Sequence, residues 1–348
     1  MSLLHGVGDF FSLDIGTKSM RIVRLTGGSQ RGWSLQNYSY TAITPQLAQD
    51  SSEAGRARLG EAIVQAVNQA GIKTKNIAMG IPANKSYTSI IETDSLPEKE
   101  LAKSFKYELD KYVPMPLSEA KADYLVLGPS PNDPRKTEIL VSSVSKEYAE
   151  STMEMVEKVG FNIIAMEPEP LAMARALNTP GSMNATMIVD FGEGATDIVI
   201  MYKDKPRLVR SIPGGMDVLV RSVANGLSVR EDQARQFILK YGLDQSQVEG
   251  RVFSVLSAHL EGYAAELIKS ARFFQTKYLG ASIGGVVLSN YASMIPLFPE
   301  YVGTKTNMST MRGDPWQFVR MSASQQQALA GVSNEFAVVI GLSERSND

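Results

Sequence analysis

The sequence predicts an α/β protein built as two related lobes, and three observations lead there. Its 348 residues are too many for one small core and suit two. Apolar strand-like runs alternate with stretches of helical spacing, the signature of mixed layers. A strand, a glycine turn and a second strand, FFSLDIGTKSMRIVRL at 10–25, find an echo in MIVDFGEGATDIVIMY at 187–202. The two turns centre on Asp14 and Asp190, 190 − 14 = 176 residues apart, which reads as an internal duplication.

The elements follow in order. After the first hairpin a strand is expected near 33–40 and a helix over 55–71, where Leu59, Ile63, Ala66 and Val67 recur at helical spacing and Gly71 stops it. Ile77–Ile81 is a short strand, and 86–93 alternates as another. Pro97 opens a helix over 98–112 and Val113-Pro114-Met115-Pro116 closes it. Strands at 122–127 and 138–144 flank a polar turn at 129–135, and a helix at 146–159 and a strand at 161–166 follow. This compact α+β stretch reads as an inserted subdomain. After the second hairpin, helices are expected at 215–226, 229–241 and 249–278, a strand at 284–289, and helices at 324–333 and 335–343. The resulting division is 1–85 with 163–186 and 325–348 as the first lobe and 86–162 as the insert. The second lobe takes 187–222 with 283–324, and 223–282 forms its helical subdomain.

Composition removes several function classes. With 43% hydrophobic and 21% charged residues the chain is an ordinary globular one. A net charge of −2 gives no support to nucleic-acid binding. There is no cysteine, so disulfides and thiolate metal sites are out, and His5 and His259 are too few for a histidine metal cage or a Ser-His-Asp triad. His259 falls in a helical pattern and reads as structural or surface. The absence of a long apolar run or a signal-peptide core places the protein in the cytoplasm, at a membrane only through a partner. Leu3, Leu4, Val7, Phe10 and Phe11 form either a short amphipathic foot or a lead-in to the first strand.

The two turns carry the chemistry. Asp14, Gly16, Thr17, Lys18 and Ser19 offer a carboxylate, a glycine and hydroxyls, and Asp190, Gly192, Gly194, Ala195 and Thr196 offer the same kit. Glycines let backbone N–H groups approach phosphate oxygens. Asp14 and Asp190 are the candidates to hold Mg²⁺, through water, because Mg²⁺ keeps much of its hydration shell. The alternative is that each turn is merely a β-hairpin. No GxGxxG and no GxxxxGK[ST] occurs, which disfavours a standard dinucleotide fold and a P-loop.

LDIGT followed by S-x-R-x-V-x-L resembles the first phosphate motif of the actin/Hsp70 superfamily, and VDFGEGATDI resembles the second. Met166–Leu177 is similar to its first connecting helix. Within that superfamily the chain resembles the PilM family over about 10–343. The resemblance rests on Tyr87-Thr88-Ser89-Ile90-Ile91-Glu92, on Tyr107-Glu108-Leu109-Asp110-Lys111-Tyr112-Val113-Pro114-Met115-Pro116, and on Arg210-Ser211-Ile212-Pro213-Gly214-Gly215. Gly313-Asp314-Pro315-Trp316 and the closing Ala337–Leu342 match as well. The resemblance implies a duplicated actin-like (ribonuclease H-like) fold and a cytoplasmic scaffold that binds ATP or ADP with Mg²⁺. It implies docking of the N-terminal cytoplasmic tail of a PilN-like inner-membrane protein in a basic or apolar groove near 86–125. Pilus assembly ATPases and self-association are further partners it suggests. Gly214 and Gly215 join the nucleotide-binding set, with Asn290 and Tyr291 at the adenosine position.

Two departures stand out. The superfamily's Gly-Gly after the adenosine strand is replaced by Asn290 and Tyr291, where the ring could block the base or stack on it. The family's Ala-Glu-x-x-Lys pattern is replaced by Ala234-Arg235-Gln236-Phe237, with Arg235 or Lys240 as substitutes. Glu169, then Glu167, are the candidates to orient a water for hydrolysis; the alternative is that both cap a helix start beside Pro168 and Pro170. Turnover is at most that of a slow ATPase. The competing functions are an actin-like filament protein of the FtsA or MreB kind, and a sugar kinase.

Overall fold

The computed structural model describes residues 9–28, 32–97, 100, 101, 105 and 108–345. His5, Leu3, Leu4 and Val7, with any amphipathic foot they form, lie outside the described residues, as does Tyr107. Contacts divide the chain into two units. The first holds Met1–Ala176, Phe318–Gln326 and Val338–Asp348; the second holds Leu177–Gln317 and Gln327–Ala337.

The first unit is built on a six-stranded sheet in the order β14-β3-β2-β1-β4-β8. Its strands are β1 (Phe11–Ile15), β2 (Ser19–Gly28), β3 (Gly32–Ala42), β4 (Asn76–Ile81), β8 (Asn162–Pro168) and β14 (Val319–Arg320). β1, β2 and β3 form an antiparallel meander, and β4 and β8 add in parallel beyond β1. Alternation in β1 sends Phe11 and Leu13 to one face, where they pack with Ile63, Ala66 and Val67 of the helix Glu53–Gln69. Met155 and Val156 of the helix Lys146–Lys158 close the same core. Ser52 caps the first of these helices, its hydroxyl accepting from the Gly55 N–H at 3.0 Å. Each fully buried Leu, Ile or Phe contributes about 1.5–3 kcal/mol to this core. On the opposite face the helix Ala337–Ser343 lies against the helix Glu169–Leu177 so closely that a Cβ on Gly341 would fall 1.8 Å from the Ala172 carbonyl oxygen.

The insert contributes an antiparallel sheet in the order β5-β7-β6, from β5 (Ser86–Asp94), β6 (Ala120–Pro129) and β7 (Lys136–Ser145). Leu101, Phe105, Leu109 and Val113 pack onto Ile139 and Val141 of its central strand. The helix expected over 98–112 falls partly outside the described residues; Glu100, Leu101, Phe105 and Glu108 are helical.

The second unit repeats the pattern with a sheet in the order β11-β10-β9-β12-β13. Its strands are β9 (Ala185–Phe191), β10 (Ala195–Tyr202), β11 (Lys205–Pro213), β12 (Ile283–Asn290) and β13 (Thr310–Arg312). Again three antiparallel strands are extended by two parallel ones, so β9 answers to β1 and β12 to β4. Met187, Val189 and Phe191 face a core formed with the helices Met216–Leu227 and Arg251–Lys277. Tyr263 stands edge-on to Phe191 at 5.3 Å and to Phe298 at 5.7 Å, which fixes the end of β9 against that core.

Candidate functional site

The first hairpin is tight. The Gly16 N–H donates to the Ser19 carbonyl at 2.9 Å, which closes the turn carrying Thr17 and Lys18. Asp14 sits opposite Arg21 in the β1–β2 register, and Arg21 Nε lies 3.0 Å from Asp14 Oδ2. Both side chains are buried, at 4% and 9% exposure. Burial pushes the Asp14 carboxyl above its usual range, and the Arg21 charge pulls the other way. The guanidinium also runs under the turn: a Cβ on Gly16 would lie 2.3 Å from Arg21 Nη2. The proposed metal ligand of this hairpin thus already holds a cation. The sequence reading gives Arg21 no role, although its seven-residue offset from Asp14 across a short hairpin is enough to pair them.

The second hairpin is braced from behind. Gly192 N–H donates to the Ala195 carbonyl at 3.0 Å, and Gly214 N–H to the Gly194 carbonyl at 3.1 Å. The Thr196 hydroxyl donates to the Gly214 carbonyl at 2.9 Å, so Thr196 is a strut of the turn. The first N–H groups of the helix Met216–Leu227 are likewise used: Met216 donates to the Gly192 carbonyl and Asp217 to the Glu193 carbonyl, each at 3.0 Å. Gly214 has φ +103°, and a Cβ on Gly215 would meet the Gly192 carbonyl oxygen at 2.3 Å, so both glycines are dictated by backbone geometry. Gly194 at the tip faces open space.

Asp190 lies opposite Asp197 on β10 and Ser289 on β12. It accepts from Asn290 Nδ2 at 3.2 Å. Burial raises the Asp197 carboxyl to about 7, against a hydrogen bond from Ser211, with the Asp190 charge adding to the rise. Asp197 Oδ1, Ser289 Oγ and Asn290 Oδ1 are buried without hydrogen-bond partners. These are hard oxygen donors beside a carboxylate, the set that suits Mg²⁺ bound partly through water. Among the described residues no group of three or more His, Asp or Glu is placed to hold a metal ion.

The two departures from the superfamily pattern meet each other. Arg235, in the helix Glu231–Tyr241, donates to Glu193 Oε1, and its Nη1 lies 3.3 Å from the Tyr291 hydroxyl. Its Cζ stands 5.6 Å over the Tyr291 ring. Asn290 takes the glycine's place in more than sequence, with φ +56° and ψ −134°, a conformation that L residues avoid.

The two candidate acids also separate. Glu167 closes β8 as a buried clamp residue: Arg175 and Arg345 both donate to it, Arg345 at 2.8 Å and Arg175 Nη1 at 3.2 Å. Burial alone would raise its carboxyl, but the two guanidinium groups hold it below the usual range. Glu169, at the start of the next helix, lies against Gly80 of β4 and raises the pKa of Tyr148, behind burial as the larger cause. On the insert, Tyr87 of β5 and Leu125 and Val126 of β6 are exposed on the two edge strands of its sheet, with Leu96 and Leu117 exposed nearby.

From residue 12 to residue 347 the chain matches the family model described as type IV pilus assembly protein PilM. It belongs to the PilM family. Among solved structures, this PilM-family chain resembles one described as a PilM–PilN type IV pilus biogenesis complex. The identity is 19%, with 98% of this chain and 99% of that one covered at a TM-score of 0.82. MreB5 of Spiroplasma citri bound to AMPPNP is similar at 12% identity, with 96% and 95% covered and a TM-score of 0.54. These likenesses establish the actin-like fold that the repeated sheet order already describes. The cell division protein FtsA of Enterococcus faecalis is 23% identical over 258 residues, 68% of this chain and 58% of FtsA, so the PilM-family chain spans less than two thirds of that relative. No described helix is long and apolar enough to cross a membrane.

Proposed function

We propose that this protein is a nucleotide-binding scaffold of the type IV pilus inner-membrane platform that docks the cytoplasmic tail of a PilN-like membrane protein. One observation carries the reading: the match to the PilM family model, from residue 12 to residue 347, takes in both hairpins and the inserted sheet. A cytoplasmic place at the membrane follows from such a partner. Each edge strand of the insert, β5 with exposed Tyr87 and β6 with exposed Leu125 and Val126, is an edge to which an extended tail would add. The distant likeness to FtsA leaves the filament reading without a feature of its own.

The nucleotide is ATP or ADP. The second hairpin would offer Gly192, Gly194 and Ala195 to its phosphates; Gly16, Thr17, Lys18 and Ser19 are the corresponding candidates of the first hairpin, taken by itself. Gly214 and Gly215 brace the second turn. A bound Mg²⁺ would offset phosphate charge. Asp190 is its principal protein partner, since Asp14 already carries Arg21. Glu169, at the start of its helix, is the candidate to position a water, and Glu167 serves the arginine clamp. Nucleotide binding then acts as a gate on a scaffold, with turnover slow at most.

Calorimetric titration with Mg-ATP tests the site. Binding by the wild type that is lost in Asp190→Ala supports it, and unchanged binding in that variant overturns it. Capture of the chain on the immobilised N-terminal peptide of the cognate PilN-like protein tests the partner, and capture no better than on a scrambled peptide rules it out.

A further inference from the structure

The end of the second unit opposite its glycine turn carries the three most exposed large apolar side chains among the described residues: Met183 at 93%, Leu279 at 83% and Phe273 at 65%. Met183 leads into β9 and Leu279 into β12, and hydrogen bonds tie the two lead-ins together. The Ser282 hydroxyl donates to Asn184 Oδ1 and the Ala185 N–H to the Ser282 carbonyl, both at 2.9 Å. The β10–β11 turn joins them, since Asp204 accepts from the Gly181 N–H at 3.0 Å. Phe273 lies on the last turns of the helix Arg251–Lys277, just ahead of Leu279. Cations surround these side chains. Lys269 and Lys277 lie one turn to either side of Phe273 on the same helix face, and Arg272, Lys203 and Lys205 are exposed. Lys203 Nζ stands 5.4 Å over the Tyr202 ring and Lys277 Nζ 5.2 Å over the Tyr278 ring; those rings are 6.2 Å apart, which brings the turn to the helix end. Acids are scarce there: Asp204 holds the Gly181 N–H, Glu266 is paired with Arg210 and Lys269, and none occurs from Leu267 to Pro299. A chain of net charge −2 thus gathers five cations around these three apolar groups.

We infer that this end of the second unit is a lipid-binding face, which lies on a bilayer of anionic lipids with Met183, Phe273 and Leu279 at the acyl boundary and the five cations among the headgroups. Charge complementarity selects an anionic surface. The mixture selects a bilayer: single apolar side chains that protrude from loop tips and a helix end enter a fluid interface, which needs no matching shape, whereas a folded partner needs a complementary surface. Lysine stems lie along apolar surface while their ammonium groups stay in water, so the two kinds of residue share the interface. The cations supply attraction that salt screens, and the apolar groups supply a part that salt does not. The inference depends on neither the nucleotide nor the PilN-like tail; it gives the chain a membrane contact of its own.

The test is co-sedimentation of the full chain, without any PilN-like peptide, with vesicles of phosphatidylcholine alone or of phosphatidylcholine with phosphatidylglycerol. Wild type is expected to partition onto the anionic vesicles at least about tenfold more strongly than onto the neutral ones, and less as salt is added. The double variant Lys203→Glu with Lys277→Glu should lose about tenfold or more. Met183→Ser with Leu279→Ser should lose about tenfold, and the binding that remains should be the more salt-sensitive. Lys73→Glu with Lys85→Glu makes the same change in net charge on exposed residues of the first unit and should bind within about twofold of wild type. Equal binding to both kinds of vesicle, unchanged binding in the Lys203 and Lys277 variant, or an equal loss in the Lys73 and Lys85 variant each overturns the inference. No binding to either vesicle overturns it too and leaves the PilN-like partner standing, since peptide capture reads that separately. Self-association in sedimentation velocity that the Met183 and Leu279 variant abolishes, without vesicle binding, assigns the face to a second copy of this chain and overturns the lipid contact. If that variant fails to fold by circular dichroism, the charge variants carry the test.

Discussion

The two hairpins occupy the same place in two copies of one sheet pattern, yet their aspartates have opposite neighbours. Across the strand from Asp14 stands Arg21; across the strand from Asp190 stands Asp197. The first hairpin therefore neutralises its buried carboxylate with a guanidinium. The second sets Asp190 opposite a carboxyl whose pKa burial raises to about 7, so that below that pH a proton on Asp197 removes the like charge. The lesson is that duplication conserves backbone more strictly than electrostatics. One turn is closed as an internal ion pair, whereas the other leaves Asp190 beside buried oxygens that still lack partners.

The sharpest way to break this comparison is to remove the cation. Arg21→Ala leaves Asp14 buried without its charge partner and should cost about 3–5 kcal/mol of unfolding free energy at pH 8, measured by urea denaturation. The loss should shrink as pH is lowered, because burial raises the Asp14 carboxyl and favours its neutral form. Asp197→Asn, which imitates the protonated acid, should cost under about 1 kcal/mol at pH 5. Equal losses in the two variants would mean that the hairpins are not electrostatically different.

A pH series sharpens the second half. The folded pKa of Asp197 is raised from 3.8 to about 7, so between those values the folded state binds more protons than the unfolded one. Its contribution to stability is then full below about pH 4 and is lost as pH rises through about 7. Over that window wild type should lose stability relative to Asp197→Asn, by at most about 4 kcal/mol. Glu344 is raised to about 8 by burial, opposed by Arg175, and falls in the same direction; it is present in both proteins and cancels in the difference. A difference that does not change with pH would show Asp197 ionised throughout.

Smaller effects distinguish how the turns are braced. Gly215→Ala drives a methyl into backbone carbonyls 2.3 and 2.7 Å away and should cost about 1–3 kcal/mol. Gly16→Ala meets the end of a side chain at the same 2.3 Å, and a guanidinium can yield where a carbonyl cannot, so its thermal melting point should fall less. Gly194→Ala points into open space and should change stability by less than about 0.5 kcal/mol. A melting point for Gly194→Ala as low as that of Gly215→Ala would put the bracing of the turn at its tip.

Much of the fold is legible in the residues. The repeated apolar-Asp-x-Gly strings place both hairpins, and helical spacing of Leu59, Ile63, Ala66 and Val67 with Gly71 after them places the first long helix, which begins two residues earlier than expected, at Glu53 behind its Ser52 cap. The roles at the site are less legible. Glu167 and Glu169 look alike as letters, but one closes a strand between Arg175 and Arg345 while the other begins a helix. Arg345 is 178 residues from Glu167, a separation that no local pattern reports. Arg235 and Tyr291 read as two unrelated departures, and only the packing of a helix beside the end of β12 makes them one cluster.

By itself, then, the sequence determined what periodicity and backbone chemistry can specify: two glycine-turn hairpins, their flanking strands and helices, and the inserted sheet. Those features are local, because a residue's neighbours in the chain fix its backbone preferences. Tertiary structure alone decided which charge each aspartate faces, which glutamate is clamped and where Arg235 rests. Such pairings depend on burial and on contacts between distant segments, and burial is what gives a charge its partner or its proton.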